Sequence, residues 1–139
     1  MIIDYRQCHP DIEIVVQVGV KAFEQINDDP SELVQKLKEY GTAIDFVLLD
    51  RSMGKGKPLD SDSLKPFLFK VSHELPHLGL AVAGGLGPTS LHLIEPLLDD
   101  FPELSFDAQG KLRPSGNSEQ PIDWHMASDY LEKSLALTH

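Results

Sequence analysis

Leu78-Gly-Leu-Ala-Val-Ala83-Gly84-Gly85-Leu86-Gly87-Pro88 is a short apolar run that ends in paired glycines and a proline. It reads as a strand that stops at a tight corner, where glycine supplies backbone conformations other residues avoid. Three further runs share the pattern: Ile14-Val-Val-Gln-Val-Gly-Val20, Ile44-Asp-Phe-Val-Leu-Leu49 and Leu104-Ser-Phe106. The four starts fall about 26 to 34 residues apart, the pitch of repeated βα units, so the alternation predicts a parallel sheet.

The intervening segments carry helix signals. Asp29 is placed to cap a helix with Pro30 at its first position and Glu32 three residues beyond the cap, and Gly41 suits its end. Leu33, Leu37 and Tyr40 then share one face. A second helix is expected from about Asp62 to His73, bent near Pro66 and finished before Pro76. Gly87-Pro-Thr-Ser90 opens a third with Leu91, Ile94 and Leu98. Asp123 caps a fourth, with Ala127, Leu131 and Leu135 on one face beside Tyr130. Pro114 to Gln120 reads as a polar loop.

With 139 residues the chain makes one domain, 1–139, of class α/β. Four βα units fall short of a closed eight-stranded barrel, which needs about 200 residues. Two architectures remain: half of a (βα)₈ barrel, or a small open doubly wound sheet with helices on both faces.

Twelve basic residues against twenty-two acidic ones leave a net charge of −10 with no cationic patch, which excludes duplex nucleic acid as a main partner. The longest apolar stretch, Leu78 to Leu86, is too short for a membrane span, and the N-terminus lacks a secretory pattern, so no membrane partner and a cytoplasmic location are expected. The lone Cys8 makes no internal disulfide. His73-Glu-Leu-Pro-His77 spells a zinc-protease motif, but Pro76 breaks the helical turn that the motif needs. No metal or cofactor is implied. Trp124 and Tyr130 read as packing residues.

Strand ends are where α/β sheets carry chemistry. The second strand runs Leu48-Leu-Asp50 into Arg51-Ser-Met-Gly54-Lys55-Gly56-Lys57-Pro-Leu-Asp60, and the third runs into Gly84-Gly85-Leu86-Gly87-Pro88. Both corners suit a phosphate, held by backbone N–H groups and a helix N-terminus. These residues resemble phosphoribosylanthranilate isomerase, a (βα)₈ barrel of tryptophan biosynthesis, over its strands five to eight, from about Ile14 to Leu137. Leu48-Leu-Asp50 with Gly54-Lys-Gly-Lys57 and Asp60 is similar to that family's sixth strand and its Gly-x-Gly-Lys loop, and Gly84-Gly-Leu-Gly-Pro88 to the corner after strand seven.

The resemblance implies an Amadori-type rearrangement with Asp50 as general acid. It implies a phosphorylated sugar at Gly54, Lys55, Gly56, Lys57, Gly84, Gly85, Asp107 and Gly110. The family's base is a first-strand cysteine in a Lys-x-Cys-Gly setting, which Cys8 does not replace. Met53 stands where the family has glycine, and Asp107-Ala-Gln-Gly110 lacks its two serines; this last corner also reads as a polar turn entering a hairpin through Lys111-Leu-Arg113. Asp50 also fits a residue that merely caps the following turn. Isomerase activity is expected only if a missing half completes the barrel. The half-barrel's inner face, expected to expose Val, Ile, Leu and Ala, would be covered by a second copy in a homodimer or by an N-terminal half-barrel. The alternative function is a non-catalytic half-barrel module.

Overall fold

A computed structural model describes residues 1–52 and 57–138. Strands β1 (Val15–Val18), β2 (Phe46–Asp50), β3 (Gly79–Ala83) and β4 (Ser105–Asp107) form one all-parallel sheet in the order β1-β2-β3-β4. Helices α1 (Ile2–Cys8), α2 (Val20–Gln25), α3 (Pro30–Lys38), α4 (Ser61–Glu74), α5 (Glu95–Leu98) and α6 (Trp124–Thr138) surround it. No helix of the described residues is long and apolar enough to cross a membrane.

The register sorts the strand residues into two faces, because side chains alternate with period two. Val18, Leu49 and Val82 stand in one row with Phe106, and Val16, Val47 and Leu80 in the next. Val18, Val47, Leu49 and Val82 belong to the buried core, together with Phe23 of α2, Leu33, Val34 and Leu37 of α3, Leu64, Phe67, Leu68 and Val71 of α4 and Leu97 of α5. Phe23 meets Phe67 edge to face at 5.1 Å, which ties α2 to α4 over the sheet. The other face carries Val15, Phe46 and Gly79, then Gln17, Leu48, Ala81 and Ser105, then Asp50, Ala83 and Asp107. None of these joins the core cluster. The helices are therefore built on one side. The expected Val, Ile, Leu and Ala surface is corrected here to a mixed one: polar residues stand on the edge strands, and Phe46 lies flat over Gly79, whose missing side chain makes room for the ring.

Local signals shaped the helices. Asp29 caps α3 by accepting from Ser31 N at 2.8 Å, with Pro30 in the first turn. Gly41 follows with φ +57° and opens a short 3₁₀ turn, Gly41–Ala43. The N-cap of α4 is Asp60, whose Oδ1 accepts from Ser63 N at 3.1 Å, and the helix runs unbroken through Pro66. There proline forfeits only the bond to Asp62 O in the first turns. Asp123 accepts from His125 N and Met126 N at the start of α6.

Three expectations are corrected. The third helix is a 3₁₀ turn at Leu91–Leu93 followed by the four-residue α5, since Pro96 removes the N–H that a continuous helix would bond to His92 O. No hairpin follows β4 either: Gly110–Leu112 is a 3₁₀ turn, braced by Arg113, whose Nε donates to Gln120 O at 2.6 Å. In α6 the inward side is that of Tyr130, which meets the Phe106 ring edge to face at 6.4 Å; Leu131, Leu135 and Trp124 are exposed, Trp124 at 78%.

Two elements lacked a sequence signal. Helix α2 begins at Val20, and α1 is pinned at the amino ends of the strands by Arg6, which pairs with Asp45 and donates to Ala43 O at 3.2 Å. The Asp45 carboxyl lies below its ordinary range because Ile14 N–H donates to it at 2.7 Å and Arg6 adds its charge.

Glu74 ends α4 and accepts from Lys38 at 2.8 Å and Lys70 at 2.7 Å, so the carboxylate of the zinc-like motif is engaged by two ammonium groups, while His73 and His77 face solvent. These bonds hold Glu74 down at about 2. The stabilisation is present above the unfolded value of 4.5 and is lost as pH falls towards 2. We expect Glu74→Gln to lower the melting temperature at neutral pH and to flatten its dependence across that acid window; parallel pH–melting curves for the two proteins would refute this linkage.

Candidate functional site at the carboxyl ends of the strands

The last residues of β2, β3 and β4 on the open face are Asp50, Ala83 and Asp107, paired across the sheet. Parallel strands end together, so the corners that follow them gather over this row. They enclose a cavity of about 440 Å³ lined by Asp50, Ser52, Gly84, Gly85, Asp107, Gln109, Gly110 and Lys111, with Ser115, Gly116 and Ser118 from the polar loop. Five of the sequence-derived site residues therefore share one cavity: Asp50, Gly84, Gly85, Asp107 and Gly110. Lys57 instead borders a neighbouring cavity of about 230 Å³, with Arg51, Ser52, Asp60, Ser63 and Gly84. Gly54, Lys55 and Gly56 lie outside the described residues.

Asp50 is 8% exposed, which is rare for a carboxylate unless donors reach it. Oδ1 accepts from Ser52 N at 2.9 Å and from Ser52 Oγ at 2.8 Å, and Oδ2 accepts from Gln17 Nε2 at 3.2 Å. The backbone bond two residues on is the turn cap weighed from sequence. Capping the turn and lining the cavity are thus compatible roles of one side chain. Ser52 and Gln17 are not among the residues singled out from the sequence. Ser52 has a legible signal, since Asp-x-Ser after a strand is an Asx-turn pattern; Gln17 has none, because only the β1–β2 pairing brings it beside Asp50.

The paired glycines are demanded by the corner itself. Gly84 has φ +133° and lies against Ser52 and Asp50, with Ser52 Cβ 3.2 Å from where a Cβ would stand. Gly85 has φ +59°, and a Cβ there would lie 2.5 Å from Lys57 O. The corner is closed by Ser90, whose Oγ donates to Gly85 O at 2.9 Å and accepts from Gly87 N at 3.0 Å. That bond occupies one N–H of the expected phosphate cradle. With only a 3₁₀ turn and a four-residue helix after it, this corner also lacks the long helix N-terminus that the sequence led us to expect.

Among the described residues, the larger cavity thus presents two carboxylates and one lysine. The Tyr130 hydroxyl behind β4 is pushed up to about 12 by burial and by the nearby Asp107 charge. The exposed Cys8 ends α1 at the opposite, amino end of the sheet. Among the described residues no group of three or more His, Cys, Asp or Glu side chains is arranged to hold a metal ion.

Comparison with protein-family models, with curated proteins and with solved structures finds no match to this chain.

Gly85 tests the corner. We expect Gly85→Ala to lose more than about 1 kcal/mol in urea denaturation, because the alanine meets both an unfavourable φ and the Lys57 carbonyl. Gly116, at φ +71° with nothing within 4 Å, provides the comparison: Gly116→Ala should lose only the backbone term, about 1 kcal/mol. Equal losses would mean that the loop after β2 does not rest on Gly85.

Proposed function

We propose that the chain is half of a (βα)₈ barrel of the phosphoribosylanthranilate isomerase kind, and that its carboxyl rim binds a phosphorylated sugar. The observation that carries this reading is the convergence of Asp50, Gly84, Gly85, Asp107 and Gly110 on one cavity beyond the strand ends. The sequential strand order supports the half-barrel. Doubly wound sheets reverse their order at a switch point, whereas right-handed crossovers that always step the same way keep the helices on one side.

In this reading Asp50 faces the sugar, oriented by Ser52 and Gln17 so that it meets a ring oxygen or hydroxyl in a fixed geometry. Proton abstraction from carbon needs a second group, worth about 10² to 10⁴-fold in rate. Cys8 is remote from the rim, so rearrangement of a substrate would draw that base from a covering half-barrel. A homodimer or an N-terminal half-barrel would supply the cover, and the polar edges Gln17 and Ser105 would then face the closed interior.

A non-catalytic module is the second reading. It is favoured by the corner glycines, whose φ angles and close contacts require glycine with no ligand present.

Ribose 5-phosphate separates the two. A site with a dissociation constant near 0.1 mM is stabilised by roughly 2.7 kcal/mol at a hundredfold excess of ligand, about 10 mM, which raises the melting temperature by several degrees. Asp50→Asn should weaken that response. No shift at such concentrations would favour the non-catalytic module, and an unchanged response in the variant would remove Asp50 from the site.

A further inference from the structure

We infer that the open face of the sheet is covered by a second copy of this chain, joined edge to edge so that β1 of each copy runs beside β4 of the other. The inference rests on the half-barrel reading above and deepens it by naming the partner.

The exposed apolar side chains are not scattered. Among the described residues, every exposed large apolar side chain except Phe69 falls in one of two stretches: residues 1–15, up to the start of β1, or residues 122–135, along α6 and just before it. β1 and β4 are the two edges of the sheet. Single exposed apolar residues need no explanation, but clusters confined to the two free edges mark surfaces that association covers.

Helix α6 shows which way its cluster points. It follows β4, and none of its described residues is buried. Tyr130 marks the side that meets Phe106 of β4. Lys133, Ala136 and Leu137 stand about 20° to 120° to one side of Tyr130 around the helix. They border Leu91 and His92, in the crossover from β3 to β4, and Lys133 Nζ donates to Pro88 O at 3.1 Å. Trp124, Leu131 and Leu135 stand about 100° to 140° to the other side. Since the first flank looks back along the sheet, the apolar one looks past β4, where the next helix of a closed barrel would stand.

The β1 edge is suited to receive a strand. Ile14 O accepts from Phe46 N at 3.2 Å, so alternation along the parallel pair turns the N–H and C=O of Val15 and Gln17 away from β2, towards the free edge. Beside that edge Ile2 and Tyr5 of α1 line an apolar groove of about 400 Å³ with Ile12 and Val15. Edge strands that stay single are commonly blunted by lysine or proline; β1 reads Val-Val-Gln-Val, with neither.

Surface area favours a whole second copy over a small occupant. A monomer of 15.4 kDa exposes about 7,200 Å², whereas this chain exposes 8474 Å². The excess, about 1,300 Å² per copy, amounts to roughly 2,600 Å² for a pair, within the range of obligate homodimers. A second copy also brings both matching edges, so one two-fold axis closes two identical seams at once.

The test uses the whole chain, with light scattering and sedimentation over a dilution series as readouts of mass. Acrylamide quenching of Trp124, the one tryptophan of the sequence, reads the seam without any substitution. The expected result is a particle of twice 15.4 kDa in which Trp124 is shielded from the quencher. Leu131→Glu and Ile12→Glu place a carboxylate on the two sides of one seam, and each is expected to raise the dimer dissociation constant roughly tenfold or more. Phe69→Glu makes the same change on α4, in the crossover from β2 to β3, and should leave that constant within about twofold. A monomer at every concentration, an open-ended assembly, or a dimer whose Trp124 is quenched freely overturns the inference. Weakening by Leu131→Glu without weakening by Ile12→Glu would mean that α6 pairs with its own copy, and overturns it too. So does equal weakening by all three variants. Ribose 5-phosphate judges the rim separately. A monomer stabilised by it leaves the sugar-phosphate reading standing with a different cover, and a dimer with the expected seam that it fails to stabilise leaves the inference standing and removes that reading.

Discussion

The period-two alternation of four parallel strands is the constraint on which the rest of this molecule depends. Once Val18, Val47, Leu49 and Val82 are committed to the helix side, Asp50, Ala83 and Asp107 must stand on the other. A one-residue slip of β2 would turn Asp50 into the core and Val47 and Leu49 out of it. Burying four branched side chains fully, at about 1.5 to 3 kcal/mol each, fixes the register and with it the cavity. The same apolar contacts that stabilise the fold therefore turn Asp50 and Asp107 towards the cavity beyond the strand ends.

The corners beyond the strands show how closely stability and site geometry are coupled. Ser52 satisfies Oδ1 of Asp50, Gly84 lies against both, and Gly85 accepts the backbone of Lys57 at a distance no side chain tolerates. Ser90 bolts the far side of the turn to Gly85 and Gly87. The loop after β2 and the loop after β3 are thus packed on each other, and the wall between the two cavities is made from that contact. Arg51 extends the wall towards the helices, where it joins Phe23 of α2 and Asp28 beyond it.

Much of this was legible because local chemistry dictates it. Asp29-Pro30 and Asp123 were readable as helix starts since a side-chain oxygen near free N–H groups acts within a few residues. Other features were hidden because they depend on partners distant in sequence. Helix α6 has two apolar stripes, Ala127–Leu131–Leu135 and the one through Tyr130, and nothing local says which will meet Phe106. Helix α1 owes its place to Arg6 reaching Asp45 across thirty-nine positions. Pro96 acts against its neighbours: a missing N–H at that position is enough to divide a helix that apolar spacing alone suggests.

The sequence by itself determined four strands, their parallel alternation with helices, the tight glycine corner and the acid at the end of β2, because each follows from period, turn chemistry or capping over short stretches. Only the tertiary structure decided that Asp107 and Gly110 share a cavity with Asp50 while Lys57 faces the adjacent one, and that Gln17 reaches the acid from a neighbouring strand. Strand pairing and loop-on-loop packing bring together residues far apart along the chain, and those distances follow from how the whole core closes.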